Sequence, residues 1–496
     1  MKKSRMSPEG CPVQSHHKEA FDNRKNLILE HADRYADERS EWKRRTSYFQ
    51  GVDLSYLKFL VPDGARILDL GCGNGDLLAA LKPAVGIGID ASHKAISHAQ
   101  AAHPDLTFYV GDVETPSGVD ITIGETLDFI ILSDLIGLLE DCQTTFEGLH
   151  KLCGPDTRII ISYYAYGWQP LLALAEKFGL KMPQVKQNYL PIKDITHLLT
   201  LSDFDVVKQE RRIILPIKLF GLGPVVNRYL SFMPLLRNLT LRNYTVARSL
   251  KSAPMKEQSV SIIVPCRNEK GNIEAAVKRI PKFGTHQELI FIEGHSKDGT
   301  YEEIERVAAE YTGEMDIRFS RQDGIGKGDA MRKGYAMAKN SILMILDADL
   351  TVAPEALPKF YDALVSGKGN FINGSRLVYP LENDAMRFLN LIANSIFARL
   401  FSWLLNQHIT DTLCGTKVLS RIHYDRISAN RHYFGEFDPF GDFDLIFGAA
   451  KQNLKIVDIP IRYAGRTYGE TQISRFRHGL LLIRMVAFAF RKLAAI

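Results

Sequence analysis

Two carboxylates, Asp347 and Asp349, are the residues of the chain whose types and spacing point most directly to chemistry. They follow the apolar run 341–346, which predicts a short buried strand. Carboxylate oxygens at a strand end suit a hard cation such as Mg²⁺ or Mn²⁺, which would also take oxygens from a diphosphate. The pair therefore predicts a metal site, formed by Asp347 and Asp349, for chemistry on a nucleotide sugar.

Closely spaced glycines follow a different apolar run in the first half of the chain. Asp69 lies at the end of that run, and Gly71, Gly73 and Gly75 come directly after it. In a strand-turn-helix unit, glycines allow the backbone to approach a ligand and to turn sharply into the next helix. The segment predicts a site for a nucleoside cofactor.

Three more carboxylates end the apolar runs that follow. Asp90 comes about 20 residues after the glycines, where a second-strand carboxylate can accept hydrogen bonds from two ribose hydroxyls. Asp112 at the third strand end could accept from an adenine amine, and Asp134 after the fourth would face the same crevice. A glycine-rich turn alone would often be only a tight turn, but four acids at successive strand ends favour a binding site.

With these motifs, residues 40–250 resemble the class I S-adenosylmethionine-dependent methyltransferases. The resemblance implies that Asp69 and residues 71–75 hold the methionine part of the cofactor, Asp90 the ribose and Asp112 the adenine. A dinucleotide oxidoreductase is the competing interpretation, and a non-catalytic binding module is an alternative from another class. No fixed catalytic residue is expected for methyl transfer, because the sulfonium is already activated and alignment supplies much of the rate.

A polar turn and a second acidic strand end open the second half of the chain. Pro265, Arg267, Asn268 and Glu269 follow an apolar run and would lie over a nucleotide. Glu293 ends the next run and can accept from a base or a ribose. These residues are candidates for binding the nucleotide sugar.

Glycines and cations are combined in the segment 324–334. Lys327, Arg332 and Lys333 lie there beside a predicted helix start, an arrangement suited to a diphosphate. Asp298, upstream of this segment, is either a helix cap or a binding group.

Together these segments resemble the family 2 glycosyltransferases of the GT-A fold, in particular the dolichyl-phosphate-mannose synthase-like branch, over about residues 258–480. The resemblance implies a divalent cation that Asp347 and Asp349 bind to the diphosphate, with a single displacement at the anomeric carbon. Glu293 stands where the branch commonly has aspartate. Further matches are Gly374, Ser375, Arg376, Arg387, Asn390, Asn394, residues 411–417 and residues 441–444.

The acceptor determines which residues would have to act as a base. Asp442 or Asp444 could serve as a catalytic base for a hydroxyl acceptor. A lipid phosphate needs no base, because its second pKa is about 6. Arg376 is a candidate for the nucleotide sugar, and Arg387, Lys417, Arg466 and Arg475 are candidates for the acceptor or its phosphate.

The order of apolar runs predicts how the chain is divided. Alternating strands and helices indicate two α/β domains, a Rossmann-like methyltransferase sheet followed by a GT-A nucleotide-sugar-binding sheet with C-terminal amphipathic helices. The β-like runs 204–215 and 243–247 are expected to pair antiparallel at the end of the first domain. The predicted divisions are a polar leader 1–40, a methyltransferase domain 41–250, a linker 251–258 and a glycosyltransferase domain 259–496.

Composition limits the possible function and location. A length of 496 residues exceeds what one hydrophobic core usually serves, and a net charge of +5 argues against nucleic-acid binding as the main role. Six scattered cysteines without a C-x-x-C pair indicate neither a zinc site nor a disulfide framework, which favours the cytoplasm. The N-terminus lacks the apolar core of a signal peptide, and no apolar run reaches the ~18 residues of a membrane span.

Two apolar segments rich in cations, about 385–406 and 478–492, predict helices that lie on a membrane surface. The alternative is that they pack on the domain or on a partner subunit. The sequence thus favours a bifunctional enzyme that is peripheral on the inner face of the membrane. It would transfer a methyl group from S-adenosylmethionine and a sugar from a nucleotide sugar. Its sugar acceptor would be polyprenyl phosphate in surface-glycan assembly or, alternatively, a glycan hydroxyl.

Overall fold

A computed structural model describes residues 12–114, 126–252, 255–379, 388–433, 441–466, 468 and 475–494. The chain forms two compact units, residues 1–252 and 253–496. Each unit contains a seven-stranded sheet among its described residues, which confirms the predicted α/β class with two sheets.

The first unit consists of the following elements. Its strands are β1 (Arg66–Leu70), β2 (Val85–Asp90), β3 (Thr107–Val110), β4 (Leu127–Ser133), β5 (Cys153–Tyr164), β6 (Phe204–Arg212) and β7 (Arg242–Ser249). Its helices are α1 (Pro12–Tyr35), α2 (Arg39–Arg45), α3 (Ser47–Leu60), α4 (Asp76–Ala80), α5 (His93–Ala102), α6 (Cys142–Leu149), α7 (Gln169–Lys177), α8 (Ile192–Leu201) and α9 (Leu222–Tyr229).

The sheet of the first unit has the strand order β3-β2-β1-β4-β5-β7-β6. Strands β1 to β5 are parallel, whereas β7 is antiparallel to both β5 and β6. The predicted antiparallel pairing of the runs 204–215 and 243–247 is therefore confirmed. Because the strands β1, β2, β3 and β4 are parallel, their carboxyl ends lie at one edge, where ligands of such sheets bind.

A buried arginine connects three elements of the first unit. Arg242, at the start of β7, is fully buried, and its guanidinium donates to both carboxylate oxygens of Asp53 on α3, at 3.0 and 3.2 Å. It also pairs with Asp134 and donates to the Ser162 hydroxyl of β5 at 3.2 Å. Burial lowers the pKa of Arg242, but the two carboxylates outweigh that effect and raise it well above its usual value. The ion pairs thus fix β7 to α3 and to the end of β4.

The second unit consists of the following elements. Its strands are β8 (Val260–Cys266), β9 (Gln287–Glu293), β10 (Asp316–Arg321), β11 (Ile342–Ile345), β12 (Phe371–Ser375), β13 (Lys417–Ser420) and β14 (Ile456–Pro460). Its helices are α10 (Lys270–Arg279), α11 (Thr300–Glu310), α12 (Lys327–Met337), α13 (Leu357–Val365), α14 (Phe388–Leu405), α15 (Arg421–Ala429), α16 (Phe443–Lys451) and α17 (Arg475–Ala489).

The sheet of the second unit has the order β10-β9-β8-β11-β13-β12-β14. Strands β8 to β11 are parallel, and β13 is antiparallel to both of its neighbours. Helix α12 lies so close to this sheet that a side chain at Gly334 would approach Ile263 Cγ2 to 2.4 Å. This close packing places the first residue of α12, Lys327, near the end of β11.

Helices α14 and α17 pack against each other, and the rings of Trp403 and Phe490 stack with centroids 5.9 Å apart. Neither these nor any other helix among the described residues is both long and apolar enough to cross a membrane.

We predict that Arg242→Met destabilises the first unit by about 3–5 kcal/mol, because it leaves the buried Asp53 carboxylate without its cation. The measurement is hydrogen exchange of the β5 and β7 amides in the intact chain. The control is Lys251→Met, which removes an exposed pair with Asp203 (3.0 Å) and should change stability by about 1 kcal/mol or less. Equal exchange in the two variants would contradict the prediction.

Candidate active sites

The glycine turn after β1 has the backbone geometry that the sequence predicts. Gly71, Gly73 and Gly75 have φ values of +75°, +52° and +76°, in the left-handed region. The Gly73 N–H donates to Asp90 Oδ2 at 2.8 Å, so the turn is fixed to the end of β2. A side chain at Gly73 would also meet the Arg39 guanidinium at 2.6 Å.

Asp69 and Asp90 lie together beside this turn. Asp90 also accepts from the Ser92 N–H at 2.9 Å, and each of its oxygens retains a lone pair that could accept from a ribose hydroxyl. Burial raises the pKa of Asp69 to about 7, with a further contribution from Asp90, although Lys43 and Arg39 act in the opposite direction. The first unit thus holds a buried carboxyl whose ionisation a bound cation would favour.

Asp112 is already in contact with the N-terminal helix. Lys25 on α1 approaches Asp112 Oδ2 to 2.9 Å, and the Glu114 N–H donates to Asp112 Oδ1 at 2.9 Å. Asp33 on the same helix accepts from the Ser92 hydroxyl at 2.5 Å. Helix α1 therefore contacts the loops that follow β2 and β3, and an adenine amine would have to share Asp112 with Lys25.

Asp134 follows β4 directly, with φ +56°. Its carboxylate is partly exposed and is paired with the buried Arg242. The structure therefore brings Asp134 to the same sheet edge as the glycine turn. The observed partner of Asp134 is Arg242, a cation of the protein itself. The role of Asp134 toward the cofactor therefore stays a prediction.

In the second unit, lysines lie between the predicted catalytic carboxylates. Lys327 Nζ lies 2.6 Å from Asp347 Oδ1 and 3.8 Å from Asp442 Oδ2. Lys417 Nζ lies 3.5 Å from Asp442 Oδ1. Burial lowers the pKa of Lys327, but Asp347 and Asp442 more than offset this and raise it above its usual value. For Asp347, burial acts to raise the pKa, yet Lys327 dominates and lowers it.

An arginine connects Asp349, the second carboxylate of the predicted metal site, to the loop after β8. Arg466 lies 2.7 Å from Asp349 Oδ2 and 3.1 Å from Glu269 Oε1. Burial raises the pKa of Glu269 to about 6, with Arg466 opposing and Asp349 contributing to the rise. Carboxylates and cations thus converge on one cluster from the loops after β8 and β11, from the starts of α12, β13 and α16, and from the segment after β14. We call it the carboxylate cluster: Glu269, Lys327, Asp347, Asp349, Lys417, Asp442 and Arg466.

The surroundings of Asp347 fit a divalent cation. Its carboxylate and that of Asp349 are hard oxygen donors, and a Cβ at Gly415 would come within 1.9 Å of Asp347 Oδ2, so glycine at 415 lets the Asp347 carboxylate occupy its position. Two carboxylates are too few for a complete Mg²⁺ or Mn²⁺ shell, and the described residues contain no group of three or more His, Cys, Asp or Glu that could hold a metal. A cation at Asp347 and Asp349 would therefore depend on ligand oxygens, as expected for a diphosphate.

The loops after β8 and β9 form one wall. Asn268 accepts from the Lys297 N–H and donates its own N–H to the Ser296 hydroxyl, both at 2.9 Å. Glu293 is buried at the end of β9 and accepts from the Ser296 N–H at 2.5 Å. Pro265 lies within β8, where it is aligned with Ile292 of β9, and Arg267 follows the strand.

Asp298 supports the same wall. Its carboxylate accepts from the Lys270 and Thr300 N–H groups, at 3.2 and 3.1 Å. The residue that caps α11 is Gly299. Asp298 is therefore not the cap of α11 but fixes the turn before that helix, and its binding role stays a prediction.

The remaining candidates differ in how they are held. Arg376 donates to both oxygens of Asp411, at 2.6 and 2.9 Å, and the Lys417 side chain is fully buried. Asp444, in the first turn of α16, lies 3.4 Å from Arg431. Arg387 lies outside the described residues, and Arg475 begins α17. Contacts of these residues with a ligand stay predictions.

Several residues of both sites were not predicted from the sequence. Arg39 and Lys43 of α2 modulate Asp69, and Asp53 and Arg242 hold Asp134. These residues are far apart along the chain, and no local pattern connects them. Gly415 could have been suspected, because it lies in the segment 411–417 that matched the glycosyltransferase pattern.

Two family models match the chain, one in each of its two units. A family model described as methyltransferase domain matches residues 41–209, and one described as glycosyl transferase family 2 matches residues 261–427. The chain is 31% identical over 219 residues to a dolichol-phosphate mannosyltransferase of Pyrococcus furiosus, covering 43% of this chain and 59% of that protein. It is 34% identical over 110 residues to a dolichol-phosphate mannosyltransferase of Saccharomyces cerevisiae, covering 21% and 40% respectively.

A third relative is an undecaprenyl-phosphate mannosyltransferase of Micrococcus luteus, 24% identical over 231 residues, with 43% of this chain and 87% of that protein covered. The chain spans less than two thirds of the length of the Pyrococcus and Saccharomyces relatives. The two sheets and the two matched models agree in their order along the chain. The chain therefore contains a methyltransferase domain followed by a family 2 glycosyltransferase domain.

Proposed function

We propose that the chain is a bifunctional enzyme that transfers a methyl group from S-adenosylmethionine and a sugar from a nucleotide sugar to polyprenyl phosphate. The sugar transfer is metal-dependent and takes place on the inner face of the membrane, in surface-glycan assembly. The observation that supports the proposal is the carboxylate cluster, in which Asp347 and Asp349 lie next to the cations Lys327 and Arg466.

The carboxylate cluster supports the departure of a diphosphate. When bound at Asp347 and Asp349, the divalent cation would supply Lewis acidity for the leaving group. Lys327 begins α12 and already neutralises Asp347, so it can give its positive charge to a phosphate when the carboxylate binds metal. Arg466 can do the same from Asp349.

A phosphate acceptor agrees better with Asp442 than a hydroxyl acceptor does. A hydroxyl needs a base that can take up a proton. Asp442, however, is buried and lies within 4 Å of both Lys327 and Lys417, so it already serves as the counter-ion of two lysines. The names of the Pyrococcus and Micrococcus relatives, which refer to dolichol phosphate and undecaprenyl phosphate, point to the same class of acceptor.

Helices α14 and α17 support attachment to the membrane surface. Ile392, Ile396 and Leu400 are exposed along α14, and Leu480 and Ile483 are exposed on α17. Exposed cations accompany them, namely Arg399, Arg484 and Arg491. Apolar side chains next to cations suit the boundary between lipid headgroups and acyl chains.

In the methyltransferase unit, Asp90 and the glycine turn would hold the ribose and the methionine part of the cofactor. Alignment is the main contribution that the protein makes to methyl transfer. If calorimetry detects no binding of S-adenosylmethionine, the first unit is a non-catalytic module and only the sugar-transfer half of the proposal stands.

The acceptor is tested with a radiolabelled nucleotide sugar. We expect labelled product with polyprenyl phosphate and none with glycan or lipid-linked hydroxyl acceptors. Transfer to a hydroxyl alone would replace the proposal by the alternative glycosyltransferase activity.

We predict that Asp349→Asn lowers the rate of sugar transfer by about a hundredfold or more, because the metal contributes several kcal/mol of charge stabilisation. The rate is measured with the labelled nucleotide sugar, with and without chelator, and methylation should be unchanged. Asp316→Asn, which alters an exposed carboxylate of β10, is the control. Undiminished transfer in chelator by the Asp349→Asn chain would exclude the metal role.

We predict that affinity for S-adenosylmethionine falls as the pH drops below about 7, by up to about tenfold per pH unit. The positively charged cofactor favours ionised Asp69, whose pKa is raised to about 7 before binding, so binding releases a proton. Calorimetry in two buffers of different ionisation enthalpy measures both effects. Asp69→Asn should remove the pH dependence, whereas Asp105→Asn should not. Affinity that is independent of pH in the unmodified chain would refute this role of Asp69.

We predict that Ile396→Ser together with Ile483→Ser weakens binding to anionic vesicles at least about tenfold, since each buried isoleucine side chain contributes about 1.5–3 kcal/mol. Vesicle cosedimentation measures the affinity, and Ile422→Ser on α15, also an exposed isoleucine, is the control. Full recovery of the unmodified chain without detergent, together with no binding to vesicles, would count decisively against attachment.

A further inference from the structure

The segment between β6 and β7 exposes an unusual number of apolar side chains. Phe220 is completely exposed and Leu235 is 90% exposed. The other exposed apolar residues of the segment are Ile217, Leu219, Leu222, Val225, Tyr229, Met233 and Leu239. They form a patch in the methyltransferase unit, separate in sequence from α14 and α17.

This segment is held in place by buried polar groups. Asn227 on α9 is buried, and its Oδ1 accepts from the N–H groups of Ile214 and Leu215 at 2.8 and 2.9 Å. Its Nδ2 donates to Leu215 O at 2.7 Å, and the buried Ser231 hydroxyl donates to Asn227 O at 2.5 Å. Helix α9 thus buries a polar face and exposes an apolar one, the reverse of a helix that packs on a core.

A second exposed segment lies beside the first. Trp168 Nε1 donates to Leu239 O at 2.9 Å, and the Ala165 N–H donates to Leu241 O at 2.8 Å. Around α7 the exposed apolar residues are Tyr166, Leu171, Leu174, Phe178 and Leu180. We call these two segments, residues 166–180 and 217–239, the apolar face.

The charges of the apolar face indicate what covers it. No aspartate or glutamate occurs between Glu210 and Glu257. Lys218 and Arg228 are exposed within the patch, and Lys177 is exposed at the end of α7. The acid of the α7 segment, Glu176, is neutralised by Lys181 at 2.5 Å. Cations among exposed apolar side chains complement an anionic lipid surface rather than an acidic and polar protein surface.

The apolar face lies at the sheet edge that carries the cofactor residues. Strands β5 and β6 end at Tyr164 and Arg212, and both residues are aligned with Arg242 at the start of β7. Arg242 in turn pairs with Asp134, at the carboxyl end of β4. The segments that form the apolar face leave the sheet from these strand ends.

We propose that the apolar face docks on an anionic membrane surface and presents the methyltransferase site to an acceptor carried by that membrane. The second part rests on the proposed methyl transfer, whereas docking does not. A lipid-linked methyl acceptor follows, because a docked unit would meet membrane-borne molecules at the edge where its cofactor binds.

Local fluorescence quenching in the intact chain tests this docking. Phe220→Trp places a reporter in the apolar face, and Val85→Trp places one at an exposed position at the amino end of β2, the opposite edge of the sheet. Each chain is mixed with vesicles of phosphatidylcholine and phosphatidylglycerol in equal parts, with brominated acyl chains. Because quenching acts only over short distances, it reports this face even if other helices also bind.

We expect F220W emission to shift to the blue and to be quenched beyond the unmodified chain, while V85W adds no quenching. Adding Lys218→Glu and Arg228→Glu to F220W should raise the lipid concentration needed for half-maximal quenching at least about tenfold, because each cation contributes roughly 1 kcal/mol to binding. F220W quenching no greater than that of V85W would overturn the proposal. If F220W is not quenched and the chain instead forms concentration-dependent dimers that dissociate in the Phe220→Ser variant, the apolar face binds a second copy of the chain.

Calorimetry with S-adenosylmethionine on the same chains separates the two proposals. Cofactor binding without quenching defeats the docking proposal and leaves methyl transfer standing. Quenching without cofactor binding supports docking and defeats the membrane-borne methyl acceptor.

Discussion

Carboxylates gathered at the ends of parallel strands must be neutralised by neighbouring cations or N–H groups, and this requirement organises both units. Asp347 and Asp349 are held by Lys327 and Arg466, whereas Asp90 accepts from the backbone N–H groups of Gly73 and Ser92. Buried ionised groups without such partners would be too costly to retain. In the proposed sugar transfer, a metal and a phosphate would take the place of these partners in the second unit.

The ligands proposed for the two units carry opposite charge. In the first unit, Asp69 is an acid whose pKa is raised by burial, which suits a positively charged cofactor. In the second unit, the cations Lys327 and Arg466 lie next to Asp347 and Asp349, an arrangement that suits a negatively charged diphosphate. Similar sheets thus support different chemistry, because the side chains at the strand ends differ.

The sequence was sufficient to predict the features that depend on local patterns. The apolar run 341–346 predicted strand β11 (Ile342–Ile345), and the glycine spacing predicted a sharp turn after β1. Pairings between distant residues could not be predicted, as with Arg242 and Asp53, which are separated by 189 positions. The exposed apolar residues of α9 were also missed, because periodicity does not reveal which face of a helix is buried.

Gly415 limits how far the second active site can drift during evolution. One added methyl group would place a carbon 1.9 Å from an oxygen of Asp347, well inside the contact distance of the two atoms. Even the smallest replacement would force that carboxylate to rotate or the backbone to move. Descendants of this chain that keep Asp347 are therefore expected to keep this neighbour invariant, whichever sugar they have come to use.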